Sequence, residues 1–303
     1  MSLKKETPSD VLLHLAALRG DDITLRRVLD SGKVHVDCKD EDGTTPLILA
    51  AAGGHCPCVI ELLEQGADPN SKRATGTTPL FFAAQGGHLD IVKILVKAGA
   101  TIDCPSVDGG TPLFVACQGG HVKLVKELIE YGANVNACMK DRASPVFISS
   151  QNGHRTVLLL LLSAGAQPDT KRIDGATPLW IASQMGHDHI CKVLLQNGAD
   201  VDAVRCDGAT PLFKAAHKGH MAVTTELLKY RPNLGILPNG ETALHAAAMF
   251  GHLTVVKQLV AAGSDILQKN QEGLTALQVA KKQHFVTISD YLQDRLRAVI
   301  GRN

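Results

Sequence analysis

The apolar positions of this chain fall into two short helical stripes that recur along it. Leu47, Ala50 and Ala51 are spaced by three or four, and Val59, Leu62 and Leu63 repeat that spacing a few residues later. The stretch from Asp68 to Thr77 is instead rich in Gly, Pro, Asn and Asp. This alternation predicts a short helix, a turn, a second antiparallel helix and an extended loop. The predicted boundaries carry a physical cause. Thr45 can accept a bond from an orphan backbone N–H, and Pro46 suits the first helical position, where its missing donor costs nothing. Gly54 and Gly66 end the two helices because glycine accepts the left-handed conformation at a helix C-terminus. The small Ala50–Ala51 pair permits close approach of a neighbouring helix.

Three grids share one period. Thr45-Pro46-Leu47, Thr78-Pro79-Leu80, Thr111-Pro112-Leu113, Thr177-Pro178-Leu179 and Thr210-Pro211-Leu212 lie on a spacing of 33 residues, and Ser144-Pro145-Val146 fills the gap. Thr242 follows 32 later and Thr275 another 33. A Gly-His grid runs from Gly54-His55 to Gly251-His252, and a Gly-Ala grid from Gly66-Ala67 to Gly198-Ala199, continuing at Gly263-Ser264. A unit of this size cannot bury its apolar face alone and must stack on copies of itself.

Composition narrows the function classes. The 303 residues carry 31 Lys and Arg against 30 Asp and Glu, a net charge of +1, which argues against a general nucleic-acid or membrane-surface binder. Hydrophobic content of 45% supports a packed fold, and 4% aromatics with one Trp predict an aliphatic, Ala-rich core. The longest apolar run, Val157 to Leu162, is far short of the roughly 18 residues a membrane helix needs. The charged N-terminus lacks the apolar stretch of a secretory signal, and no Asn-x-Ser/Thr sequon occurs. Eight cysteines show no paired Cys-x-x-Cys spacing; Cys56-Pro57-Cys58 is the one close pair and reads as small buried side chains rather than a zinc site. These features together predict an intracellular protein, cytoplasmic or nuclear.

Seven of the thirteen His belong to the Gly-His grid, which accounts for them structurally. His14, His35, His189, His217, His245 and His284 sit in no metal-binding spacing. No Gly-x-Ser-x-Gly elbow, phosphate-cradling loop or kinase signature appears. The expectation is a protein without catalysis, cofactor or metal.

The Thr-Pro-Leu, Gly-His and Gly-Ala motifs resemble the ankyrin repeat family over nearly the whole chain. The stretches Lys4-Lys5-Glu6-Thr7-Pro8, Leu179-Trp180-Ile181-Ala182-Ser183-Gln184-Met185-Gly186-His187 and Leu234-Gly235-Ile236-Leu237 resemble one member in particular. The resemblance implies an all-α solenoid of stacked helix-turn-helix units joined by β-turn or hairpin loops. We count an N-terminal capping repeat over 1–40, seven repeats of 32–33 residues over 41–271, and a C-terminal capping repeat with its tail over 272–303.

The sequence departs from the family at several places. After Thr-Pro-Leu the family usually has His; here the column reads Ile48, Phe81, Phe114, Phe147, Trp180, Phe213, His245 and Gln278. We expect a buried ladder, with Trp180 the first candidate for exposure. Arg142 replaces the Gly of neighbouring units, Ser149 and Ser150 stand where others have Ala or Cys, and Leu159 stands where neighbours have Lys126 and Lys192. Arg231-Pro232 replaces Gly-Ala before a one-residue deletion, where we expect a bend.

In the family, the concave face built from turn tips and first-helix ends binds partners. Those positions correspond here to Arg73 and Gln85, Gln118, Met139 and Lys140, Gln151, Arg172 and Ile173, Gln184 and Met185, Arg205, His217 and Lys218, and Phe250. Met139, Ile173, Met185 and Phe250 are apolar where solvated positions are ordinarily polar, the composition of an interface core beside Arg. The partner expected is a protein or peptide, not nucleic acid or membrane, bound by a monomer. The alternative is a structural role, with self-association through an outer-helix patch around Leu159. The resemblance also implies Asn70 and Asn136 as loop positions open to hydroxylation, with Leu62 and Asp68 as flanks.

Overall fold

The computed structural model of the protein describes residues 7–300, so Lys4, Lys5 and Glu6 of the N-terminal motif lie outside the described residues. Eighteen α-helices in nine consecutive pairs form among the described residues, with no strand and one isolated bridge between Lys269 and Thr275. The expected all-helical repeat architecture is thus present. The loops between pairs are hairpin-like turns rather than strands: Arg73 N–H donates to the Thr77 carbonyl at 3.1 Å, and Gly76 N–H to Arg73 at 2.9 Å.

The chain divides into two compact units. The first, Met1–Ile148 with Ser163–Ala166, contains α1 (Pro8–Arg19), α2 (Asp22–Asp30), α3 (Pro46–Gly53), α4 (Cys56–Glu64), α5 (Pro79–Gly86), α6 (Leu89–Lys97), α7 (Pro112–Gly119) and α8 (Val122–Glu130). The division falls within α9 (Pro145–Gln151) and α10 (Arg155–Ser163). The second unit, Ser149–Leu162 with Gln167–Asn303, contains α11 (Pro178–Met185), α12 (Asp188–Gln196), α13 (Pro211–Lys218), α14 (Met221–Leu228), α15 (Ala243–Met249), α16 (Leu253–Ala261), α17 (Ala276–Lys282) and α18 (Val286–Ile300).

In the first unit α1, α3, α5 and α7 pack in succession, each also against its own second helix. Ala50, Ala51, Ala83, Ala84 and Ala116 are all fully buried, and their lack of bulk brings the first helices together. In the second unit α11, α13, α15 and α17 pack in the same way, as do α12, α14, α16 and α18. That stacking continues across Arg231-Pro232 and the one-residue deletion. The Leu of each Thr-Pro-Leu motif (Leu47, Leu80, Leu113, Leu179, Leu212) and a second-helix Leu (Leu62, Leu95, Leu128, Leu194, Leu227) are buried. Each contributes about 1.5–3 kcal/mol by leaving water.

The caps form as the motifs predict. Thr45, Thr78, Thr111, Thr177, Thr210, Thr242 and Thr275 each accept the N–H of the residue three later. Ser144 does the same for Phe147 at 3.1 Å. The Gly-His grid proves to be an inter-repeat tie. His88 Nε2 donates to the Ala52 carbonyl at 3.1 Å and His121 Nε2 to Gln85 at 3.1 Å in the first unit. In the second, His187, His220 and His252 donate to Gln151, Gln184 and His217, each at 3.0 Å. Each ring satisfies a carbonyl at the preceding first helix's C-terminus that has no helical partner. Gly54 is required twice over: its φ is +79°, and a Cβ there would lie 2.7 Å from the His88 ring.

The aromatic column is largely core. Ile48, Phe114, Phe147, Trp180 and His245 are buried, whereas Phe81 and Phe213 are half-buried and Gln278 is exposed. Trp180 is 5% exposed, so the expectation that it is the exposed member is corrected. It is covered by Arg205 and Lys214, whose cations lie 4.9 and 5.3 Å from its ring centroid.

Candidate functional site

One column separates the two units chemically. In the first unit the residue before the glycine that ends each first helix is Arg19 in the capping repeat, followed by three glycines, Gly53, Gly86 and Gly119. A Cβ at any of these glycines would meet the same repeat's histidine Nε2 at 2.4 Å. In the second unit the position carries side chains: Asn152, then Met185, Lys218 and Phe250 at the ends of α11, α13 and α15. Met185 is 48% and Phe250 45% exposed, and Lys218, between them in the column, is exposed as well. After Arg19 the first unit offers main chain here, and the second offers apolar and cationic side chains.

The other predicted residues divide by what already holds them. Arg73 is not free for a partner: it pairs with Asp42 at 3.0 Å and lies over the Phe82 ring at 5.7 Å, beside the Ala74 N–H bond to the Asp42 carbonyl. Arg205 is likewise engaged. Its Nε and Nη2 donate to Asp174 at 3.1 and 3.0 Å and its Nη1 to Asp207 at 2.7 Å. Both arginines tie consecutive turn tips together. Gln85 and Gln118 are exposed, and Gln151 and Gln184 half-buried, each of the last two lending its carbonyl to a histidine tie. Met139 is half-buried, while Lys140 is exposed and donates its N–H to Asp108 at 2.8 Å. Arg172 is half-buried; Ile173 beside it is 69% exposed at a turn tip.

In the second unit α13 gathers the remaining groups. The His217 ring packs on Phe250 with centroids 4.0 Å apart and lies 6.5 Å from Phe213. Burial, then the charges of Lys214 and Lys218, holds the His217 imidazole below the ordinary histidine range. Lys214 is pulled down by burial first, opposed by Asp207 and reinforced by Lys218 and Arg205. Sequence reasoning passed over Lys214. The available signal was a cation in a column otherwise reading Leu49, Phe82, Val115, Ile148, Ile181 and Ala246.

Leu159 is 40% exposed on α10, in a column that reads Ile60, Lys93, Lys126, Leu159 and Lys192. Ile60, in the same column, is exposed to a similar extent at 43%. Asn70 is locked between repeats: its Nδ2 donates to Gly99 at 3.0 Å and its Oδ1 accepts from Thr101 at 2.7 Å. Cys58 is buried, which pushes its thiol up to about 11, with Asp22 and Asp21 adding to the shift. Among the described residues no three His, Cys, Asp or Glu side chains converge in a metal-binding group, and no helix is long and apolar enough to cross a membrane.

Comparison with known proteins bears on the whole chain. A family model described as ankyrin repeats (three copies) matches residues 13–106, 99–172, 138–205, 167–239 and 224–300. Ankyrin repeat domain-containing protein 29 of Homo sapiens is 52% identical over 73 residues, 24% of this chain and 24% of that protein. Its Danio rerio counterpart is 51% identical over 73 residues, with the same coverage. Ankyrin repeat domain-containing protein 49 of Homo sapiens is 45% identical over 65 residues, 22% of this chain and 27% of that protein. The matched stretch spans about a quarter of the length of these curated relatives.

Proposed function

The chain belongs to the ankyrin repeat family, and from that premise we propose that it is a non-catalytic scaffold whose second unit binds a protein partner across the ends of α11, α13 and α15. Repeats of this family are generally protein–protein interaction modules, and the proteins that carry them are typically non-catalytic. The observation that supports this face is the change, among the repeats that follow the N-terminal capping repeat with its Arg19, from Gly53, Gly86 and Gly119 to Met185, Lys218 and Phe250. Exposed apolar side chains next to cations supply both the area and the polarity that interface centres use. Gln184 and Ile173 extend the face, and Arg205 positions Trp180 and the tip carboxylates beneath it. Eight cysteines with no disulfide among them fit a reducing, intracellular compartment, which fractionation tests.

The test compares partners recovered by proximity labelling with wild type and with a variant carrying Gln184→Ala, Met185→Glu and Lys218→Glu. The expected result is loss of specific partners with helical circular dichroism unchanged. An unchanged partner set means this face is not the binding surface.

A further inference from the structure

The end of α13 holds positive charge that no ion pair within the described residues answers. Lys214 and Lys218, one helical turn apart, have no carboxylate within ion-pair distance among the described residues. Asp207, which acts on Lys214 from longer range, is paired with Arg205 at 2.7 Å, and Asp174 is paired with the same arginine at 3.0 Å. Beside them the Nδ1 of His217 and the Nε1 of Trp180 are buried without a hydrogen-bond partner. Buried polar groups are ordinarily satisfied, and an unmet one costs about 1–3 kcal/mol. The downward pull on Lys214 is the same cost seen electrostatically. Against this group stands Phe250, half-exposed, with His217 packed on its ring.

Resting on the reading of this face given above, we propose that the end of α13 is the receptor for an acidic peptide segment of the partner. Its carboxylates meet Lys214 and Lys218, and an adjoining apolar side chain covers Phe250 and His217. The chemistry selects a peptide over a nucleic acid. Two unanswered cations on a chain of net charge +1, next to an apolar ring and two carboxylates, make a poor match for a run of phosphates, which binds through many Lys and Arg contacts. A carboxylate next to an apolar residue matches the cations and the ring together.

Trp180 is the single tryptophan of the chain and touches Lys214, so its fluorescence reports on this site without a label. Three acetylated hexapeptides are titrated into the full chain: alternating glutamate and leucine, the same with glutamine for glutamate, and the same with lysine. A hexathymidylate is titrated in parallel, and calorimetry measures affinity independently of the fluorescence. The expected result is a saturable Trp180 change with the glutamate peptide and affinity about tenfold or more weaker for the glutamine peptide. Raised salt weakens the glutamate peptide further, Lys214→Glu with Lys218→Glu removes its binding, and Phe250→Ala weakens it about tenfold.

Absence of binding by the glutamate peptide, equal affinity for the glutamine peptide, or tighter binding of hexathymidylate each overturns the acidic-peptide inference. Equal affinity for the glutamine peptide that is still lost in Phe250→Ala and Met185→Glu leaves the binding face standing and removes only its preference for acid. Binding that survives both the lysine and the apolar variants overturns the face as well.

Discussion

At the scale of single residues, the departures from the repeat pattern locate the strain. Arg142, Arg231 and His284 have φ of 65°, 53° and 61°, and each occupies a position where sister repeats have glycine. Gly109 and Gly175, the counterparts of Arg142, have φ of 87° and 80°. The frame of neighbouring turns holds the arginine in the left-handed region, where a Cβ crowds the carbonyl. Arg142→Gly is therefore expected to raise stability by about 1 kcal/mol, read as a higher urea midpoint with an unchanged slope. Gly109→Ala is the converse case, because the new Cβ would also sit 3.1 Å from the Lys140 nitrogen. His245 gives a pH prediction. Its Nε2 donates to the Leu274 carbonyl at 2.9 Å and its Nδ1 accepts from the Thr242 hydroxyl at 2.8 Å, the arrangement of a neutral ring. Burial outweighs the Leu274 bond and the Glu241 charge and holds its pKa below the ordinary 6.5. The unfolded chain then takes up the proton first. The contribution is complete above 6.5 and is lost as pH falls from there through the folded value. Thermal midpoints measured from about pH 7 to 5 are expected to fall less steeply in His245→Gln than in wild type.

At the scale of the element, each first helix from α3 to α17 is too short to stand alone and is held by its ends. First helices of seven or eight residues from α3 to α17 lie below the length at which isolated helices persist in water. Thr111→Ala removes the bond to the Phe114 N–H at 3.2 Å and is expected to cost about 1 kcal/mol in thermal or chemical unfolding. His220→Ala acts on two repeats at once, because its ring caps the α11 end through the Gln184 carbonyl. We expect a loss of about 1–2 kcal/mol, with His220→Gln recovering part of it by restoring a donor. The caps were legible from the Thr-Pro and Gly-His pairs. The destination of each histidine bond was not, because its acceptor lies some 36 residues earlier in the chain.

At the scale of the whole molecule, stability in each unit is a sum of repeat and neighbour terms rather than one shared core. Leu113, fully buried in α7, stacks its repeat on α5. Leu113→Ala is expected to cost about 2–5 kcal/mol. In native-state hydrogen exchange, protection should fall first in α5 to α8 and least in α1 and α2. Uniform loss across these helices would mean that the first unit opens as one body.

The period, the helix pairs and the buried leucines were determined by the sequence alone, because capping, glycine conformation and apolar spacing act within a few residues and repeat without change. The binding face was legible only in part. Met185 and Phe250 stood out as apolar side chains where solvated positions are ordinarily polar, yet Arg73 and Arg205 looked equally available until the structure paired them with Asp42 and Asp174. Trp180 looked like the exposed aromatic and is instead covered by Arg205 and Lys214. Those outcomes belong to tertiary structure because charge pairing and coverage depend on which side chains of adjacent repeats meet, at separations of about 25 to 35 residues that no local pattern encodes.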